Sequence, residues 1–179
     1  MAPVKVVITG PEGVGKTSFV RTIADMVVAS NEPHPSGEGQ VTIDFGRITL
    51  ARDLVIYLYG TPTKAELQQL WETWTEGMLG FIVMVQAQDK TQLDEAAAYL
   101  EYFREKGDWP HLALVNMCGD DTELDCQIVS EVLGLPFPEQ VVPVDALDRE
   151  SVKEALLTFL AIAINPKRAR ALARANTPF

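Results

Sequence analysis

A loop of eight residues constrains this chain more than any other feature. Residues 10–17 read GPEGVGKT and match the pattern G-x-x-x-x-G-K-[ST], after a short apolar run and before a segment of helical period. Glycines in this pattern let successive backbone N–H groups point into one concavity, and the N-terminus of the next helix adds partial positive charge. The pattern predicts a phosphate-binding loop between a strand and a helix. The alternative is a glycine-rich turn that binds nothing.

The whole loop and the first turn of the helix are expected to contribute to this site. The predicted phosphate-binding residues are Gly10, Pro11, Glu12, Gly13, Val14, Gly15, Lys16, Thr17 and Ser18. The Lys16 ammonium is expected to bridge the β- and γ-phosphates of a nucleotide, and the Thr17 hydroxyl to bind Mg²⁺. The carboxylate of Glu12 is unusual in such a loop. Either it points to solvent, or it weakens phosphate binding or hinders hydrolysis.

Short β-branched runs alternate along the chain with longer segments of helical period. We predict strands at Lys5–Thr9, Val41–Leu50, Asp53–Tyr59, Phe81–Gln86, His111–Asn116 and Val141–Val144, and helices at Lys16–Ala29, Thr63–Glu76, Thr91–Lys106, Leu124–Leu133 and Arg149–Ile164. Helices between strands require crossover connections and favour a parallel sheet covered on both faces. Only Ala51 and Arg52 separate the second and third strands, which predicts an antiparallel hairpin. The predicted fold is a three-layer α/β domain with a six-stranded, mostly parallel sheet and one antiparallel edge strand.

Length, charge and cysteine content narrow the classes of protein to which this chain can belong. The chain has 179 residues and a net charge of −10, which fits one domain at residues 1–164 and argues against a general nucleic-acid binder. No apolar run reaches the roughly 18–20 residues of a membrane span. Two cysteines are too few for a disulfide framework, so we expect a cytoplasmic protein. Residues 165–179 form a basic tail, either a solvated, partly helical segment or an arm for an acidic partner or a membrane surface.

Four stretches together resemble the Ras-like small GTPases, and more closely the bacterial MglA-type proteins and the ATP/GTP-binding proteins encoded beside Roadblock-type partners. They are ITGPEGVGKT at 8–17, IDFGRITL at 43–50, LVIYLYGTP at 54–62 and VDALDRESV at 144–152. The resemblance covers residues 4–164. It implies a P-loop NTPase G-domain that binds GTP or GDP with Mg²⁺.

The resemblance is incomplete in the segments that act on the γ-phosphate. The family motif D-x-x-G falls on residues 60–63, where Gly60 and Thr63 replace its aspartate and glycine. Lys64 replaces a water-positioning glutamine, and a lysine without an acceptor atom cannot take a proton from water unless it is deprotonated. Lys64 is therefore only a weak candidate for a catalytic cation. Thr42 is the candidate for a second Mg²⁺ ligand, although a threonine in a strand needs no such role.

The base-reading motifs are also only partly present. N-K-x-D falls on residues 116–119, where Asn116 is retained and a glycine replaces the aspartate that accepts from guanine. Asp120 follows one residue later and is a candidate for that acceptor. In the last motif the resemblance assigns base contacts to Asp145, Ala146 and Leu147, with the Ala146 N–H facing guanine O6. The alternative for Asp145 is a turn or helix-capping residue.

These expectations define one leading function and two alternatives. The leading one is a GTP-binding molecular switch with slow or partner-dependent hydrolysis. Its Roadblock-type or GTPase-activating partner would contact the loop at residues 30–42 and the helix at residues 63–78, where Trp71 and Trp74 lie. The first alternative is a non-hydrolysing nucleotide-binding scaffold that recruits such a partner. The second is a nucleoside-monophosphate kinase, which the absence of an arginine-rich lid disfavours.

Overall fold

A seven-stranded sheet carries the glycine-rich loop at the end of its central strand. The computed structural model describes residues 4–33, 37–52, 54–61 and 75–165. Within this part the strands are β1 (Val4–Thr9), β2 (Met26–Pro33), β3 (Gln40–Ala51), β4 (Leu54–Gly60), β5 (Met78–Val85), β6 (His111–Asn116) and β7 (Val141–Val144). Their order across the sheet is β2-β3-β4-β1-β5-β6-β7.

Only β3 runs against its neighbours. It pairs antiparallel with both β2 and β4, whereas β1 is parallel to β4 and β5, and β5, β6 and β7 follow in parallel. The predicted hairpin between the second and third strands is therefore confirmed, as is the α/β class with a mostly parallel sheet. The predicted number of six strands is wrong. The antiparallel strand was also expected at the edge of the sheet, but β3 is internal, because β2 pairs with its outer side.

Helices cover both faces of the sheet. They are α1 (Lys16–Ile23), α2 (Lys90–Lys106), α3 (Thr122–Leu133) and α4 (Arg149–Ile164). Val6 and Ile8 of β1 belong to a buried cluster with residues of α1 and α4, and Val7 belongs to a second cluster with residues of α2 and α3. This alternation is what a strand between two helical layers requires. None of the helices in the described ranges is long and apolar enough to cross a membrane.

The edge strand β2 replaces part of a predicted helix. The helix expected at Lys16–Ala29 ends at Ile23, and residues 26–33 pair with β3. Asp25 fixes the change of direction because its N–H donates to the Arg47 carbonyl at 2.8 Å and its carboxylate accepts from the Thr49 N–H at 2.7 Å. Pairing with a distant strand here overrides the local helical pattern.

The two segments that were predicted to bind a partner also differ from their predicted secondary structure where the structure describes them. The loop expected at residues 30–42 is shorter, because 30–33 belong to β2 and 40–42 to β3, and residues 34–36 lie outside the described residues. Most of the helix expected at 63–78, with both tryptophans, lies outside them as well. Met78 does not belong to a helix, since it opens β5 and is buried. Partner binding by these segments stays a prediction.

Candidate nucleotide-binding site

The glycine-rich loop has the backbone shape that its sequence predicts. Gly10, Gly13 and Gly15 all have positive φ angles, of 137°, 78° and 103°. Gly15 is the residue before α1, and a Cβ there would lie 2.4 Å from Nδ2 of Asn116, so only glycine fits. Among the residues that the structure describes, no side chain caps the start of α1. The first N–H groups of this helix are therefore available to an external acceptor.

Lys16 lies half-buried across the loop that precedes it. Its Nζ donates to the carbonyl oxygens of Gly10 and Pro11, each at 2.6 Å. Burial lowers the pKa of Lys16 to about 8, and the carboxylates of Glu95, Glu12 and Asp44 oppose this shift. The ammonium group is thus held near the loop by neutral oxygen atoms. Its charge is poorly solvated, which favours the approach of an anion.

Both alternatives given for Glu12 stay predictions. Its side chain is exposed, and its carboxylate opposes the lowering of the Lys16 pKa. Its carbonyl accepts from Nε2 of Gln92 on α2 at 3.1 Å, and the Gly13 carbonyl accepts from Nε2 of Gln86 at 3.2 Å. Two glutamines from one side of the sheet therefore hold the outer part of the loop.

Asp44 joins the site although no sequence motif predicted a role for it. The Thr17 hydroxyl donates to Oδ2 of Asp44 at 2.5 Å, and Arg21 lies 3.6 Å from Oδ1. Asp44 lies opposite Gly60 in the antiparallel pairing of β3 and β4. A carboxylate is thus present beside the position where the D-x-x-G motif lacks its aspartate. The available signal was the single acidic residue of this strand.

Asn116 connects the phosphate loop with the two strands beyond it. It is 6% exposed at the end of β6. Its Nδ2 donates to the Val14 carbonyl at 3.0 Å, and its Oδ1 accepts from the Ala146 N–H at 3.1 Å. The residue predicted to read a base therefore bridges two loops with both ends of its side-chain amide.

The loop after β7 is closed by its own hydrogen bonds. Asp145 Oδ1 accepts from the Leu147 N–H at 2.9 Å, and the Asp145 N–H donates to Oγ of Ser151 at 2.9 Å. Asp145 thus has the turn-stabilising contacts that were the alternative to a base contact. Ala146 is buried, whereas Leu147 is 79% exposed.

The segment after β6 is held in place by hydrogen bonds to Asp125, a residue for which the sequence predicted no role in the site. Asp125 on α3 is 8% exposed, and its Oδ2 accepts from the Gly119 N–H at 2.6 Å and from Nε2 of Gln88 at 2.8 Å. Asp120 is exposed in the turn before α3. Its predicted contact with a base stays a prediction.

The structure gives less information about three other predicted site residues, Ser18, Thr42 and Lys64. Ser18 lies half-buried in the first turn of α1. Thr42 lies in β3 opposite Asn31, two residues before Asp44, and its role as a metal ligand stays a prediction. Lys64 lies outside the described residues.

The oxygen atoms of Thr17 and Asp44 fit a magnesium ion that is bound mainly by phosphates and water. Within the described ranges no cluster of three or more histidine, cysteine or acidic residues is arranged to hold a metal ion. Magnesium at nucleotide sites needs no such cluster, because it keeps several waters and is bound by one or two protein oxygens and the phosphates. The Thr17 hydroxyl, held by the Asp44 carboxylate, supplies that kind of ligand.

Comparison of the sequence with protein-family models and with curated proteins finds no match.

Replacing Asn116 with alanine is expected to destabilise the fold. The substitution leaves the Val14 carbonyl and the Ala146 N–H unpaired in buried surroundings, at a cost of about 2–4 kcal/mol in the free energy of unfolding. Urea denaturation followed by circular dichroism measures this change. Asp120→Ala, an exposed neighbour, is the control and should change the free energy by about 0.5 kcal/mol or less. Equal effects of the two substitutions would contradict the bridging role of Asn116.

Proposed function

We propose that this chain binds the phosphates of a nucleoside triphosphate with Mg²⁺ and acts as a small Ras-like switch protein. The observation that carries the proposal is the Lys16 ammonium, held at 2.6 Å from two loop carbonyls beside the uncapped start of α1. An anion that enters the loop meets backbone N–H groups, the helix dipole and this ammonium group together. Guanine nucleotides, GTP and GDP, are the ligands that the family resemblance implies.

Thr17 and Asp44 are the proposed protein side of the magnesium site. The Thr17 hydroxyl would bind the ion, and Asp44 would orient that hydroxyl and contribute negative charge from β3. Bound Mg²⁺ would neutralise part of the phosphate charge. The pairing of Asp44 with Gly60 supports this assignment, because it brings a carboxylate to the strand end that has lost one.

Hydrolysis is proposed to be slow without a partner. Gly60 has no side chain with which to hold the magnesium shell, and Lys64 has no acceptor for a proton of the attacking water. A regulatory protein could supply the missing groups in trans, as arginine fingers do. In this proposal, a Roadblock-type or GTPase-activating partner contacts the segments at residues 30–42 and 63–78.

A non-hydrolysing scaffold is the second candidate, and one observation favours it. The contacts of Lys16 with Gly10 and Pro11, and of Asn116 with Val14, stabilise the loop through the chain's own groups. Partner binding that does not depend on nucleotide would support this alternative. The kinase alternative is weaker, because the antiparallel β3–β4 hairpin suits a G-domain better.

Calorimetric titration with Mg·GTP tests the proposal. Lys16→Met removes the charge that faces the phosphates. Loss of a close charge pair costs about 2–5 kcal/mol of binding free energy, which corresponds to a dissociation constant at least roughly thirtyfold higher. Lys153→Met is the matched control, because Lys153 is exposed on α4 and pairs with Glu150. Equal affinities of the wild-type protein and Lys16→Met would contradict the proposal.

Proton uptake provides a second, independent prediction. At pH 8 about half of the Lys16 side chains are neutral, since the pKa is about 8. Nearby phosphates favour the charged form and raise that pKa, so binding at pH 8 should take up about half a proton. For the same reason the affinity should fall as the pH rises from 8 to 10. Calorimetry in buffers of different ionisation enthalpy measures the uptake.

Lys16→Arg is the control for this measurement. The guanidinium group is always protonated in this pH range, so the variant should take up no proton at residue 16 when it binds. Binding of the wild-type protein without proton uptake would show that the lysine is already charged or does not meet the phosphates.

Magnesium dependence tests the role of Asp44. Because Asp44 orients the Thr17 hydroxyl, Asp44→Ala should raise the Mg²⁺ concentration that half-saturates nucleotide binding by about tenfold or more. Asp44→Asn keeps an acceptor for the hydroxyl and should have a smaller effect. Glu154→Ala removes an exposed carboxylate on α4 and serves as the control. The Asp44 assignment fails if Asp44→Ala and Glu154→Ala show the same magnesium dependence.

A further inference from the structure

An open cavity lies beside the phosphate loop, between the ends of β6 and β7. Its volume is about 570 Å³, and Asn116, Met117, Asp145 and Ser151 are among the residues that line it. Asn116 joins this cavity to the phosphate loop through its hydrogen bond to the Val14 carbonyl. A nucleotide with its phosphates in the loop would therefore place its base at or near this cavity.

The groups that would have to read a guanine edge are engaged with one another. The Ala146 N–H, expected to face guanine O6, donates to Asn116 Oδ1 at 3.1 Å. The next N–H, that of Leu147, donates to the carboxylate of Asp145 at 2.9 Å. A base that used either donor would have to break a hydrogen bond within the protein, so the net gain would be small.

Residue 119, where the resemblance predicts an aspartate that accepts from the N–H groups of guanine, has no acceptor side chain. Gly119 has no side chain, and the carboxylate close to it belongs to Asp125, whose Oδ2 lies 3.5 Å from where a Cβ of residue 119 would be. That oxygen already accepts from the Gly119 N–H and from Gln88, and Asp125 is 8% exposed. Asp125 holds the segment after β6 in place and is not presented to a ligand.

An apolar side chain, that of Met117, lines the cavity and is 65% exposed. Met117 is held in the left-handed region with a φ of 53°, and its Sδ accepts from Nε2 of Gln86, which also donates to the Gly13 carbonyl. Met117 is thereby fixed at the border between the cavity and the phosphate loop. Contact of an apolar side chain with the face of a purine does not depend on its exocyclic groups.

From these contacts we propose that the site binds purine nucleotides without selecting guanine over adenine. The phosphates and Mg²⁺ provide the affinity, and Met117 contacts the base through its face. This inference rests on the proposed function and changes its ligand from a guanine nucleotide to any purine nucleoside triphosphate. A site built to hydrogen-bond one base edge would instead reject the other purine by about 10⁴-fold.

The test is a calorimetric titration of the full chain with Mg·GTP, Mg·ATP and inorganic tripolyphosphate in parallel. We expect dissociation constants for GTP and ATP within about tenfold of each other. A preference for either nucleotide above about hundredfold overturns the inference and leaves the proposed phosphate site intact. If neither nucleotide nor tripolyphosphate binds, the proposed function and the inference both fail.

Two variants test whether the missing acceptor at residue 119 is the reason that GTP and ATP bind with similar affinity. Gly119→Asp places a carboxylate at the missing acceptor position. The φ of Gly119 is not in the left-handed region, so the backbone accepts an aspartate, but its Cβ would lie 3.1 Å from Nε2 of Gln88, which has to shift by a few tenths of an ångström. It should raise the preference for GTP over ATP by about tenfold. An unchanged ratio in a folded Gly119→Asp protein would contradict the assignment of position 119.

Asp120→Ala tests the remaining acceptor in this segment. We expect it to leave the ratio of the two affinities unchanged, because Asp120 is exposed in the turn and the inference gives it no contact with the base. A strong preference for GTP that Asp120→Ala abolishes would show that Asp120 reads guanine, and would overturn the inference.

Discussion

The side-chain amide of Asn116 links the parts of the site to one another. Its two hydrogen bonds tie the phosphate loop after β1 to the loop after β7, and the side chain is almost fully buried between them. A buried amide with both ends satisfied fixes the distance between the segments it connects. The close approach of Gly15 to Nδ2 shows how little space this arrangement leaves. The same bonds that build the loop therefore occupy groups that guanine recognition would need.

A second link joins the loop to the opposite side of the sheet. The hydrogen bond between Thr17 and Asp44 connects the start of α1 with β3, whose pairing partner β4 ends at Gly60. The proposed phosphate position lies at the end of β1, the proposed base position at the ends of β6 and β7, and the proposed magnesium position beside Gly60 at the end of β4. Parallel strands bring these ends to one edge of the sheet, where ligands of open α/β sheets bind. In the proposed site the phosphate end provides the affinity, and the base end provides little selectivity.

The sequence predicted the parts of this arrangement that depend on local pattern. The bounds of β6, β7 and α4 are those predicted, and the loop glycines have the conformation that their pattern implies. Strand β2 was missed because it forms by pairing with β3, whose partner residues lie between 7 (Pro33 with Gln40) and 21 (Met26 with Arg47) positions further along the chain. The roles of Asp44 and Asp125 were missed for the same reason. Their meaning depends on which backbone or hydroxyl group the fold brings to them.

The central claim, that residues 10–18 bind phosphate through backbone N–H groups and Lys16, is tested most directly by nuclear magnetic resonance. Tripolyphosphate with Mg²⁺ would be titrated into the ¹⁵N-labelled protein, and the amide signals followed residue by residue. We predict saturable shifts that are largest at Gly13, Gly15 and Lys16 and extend into the first turn of α1. Shifts that do not saturate, or that are largest away from this loop, would contradict the claim.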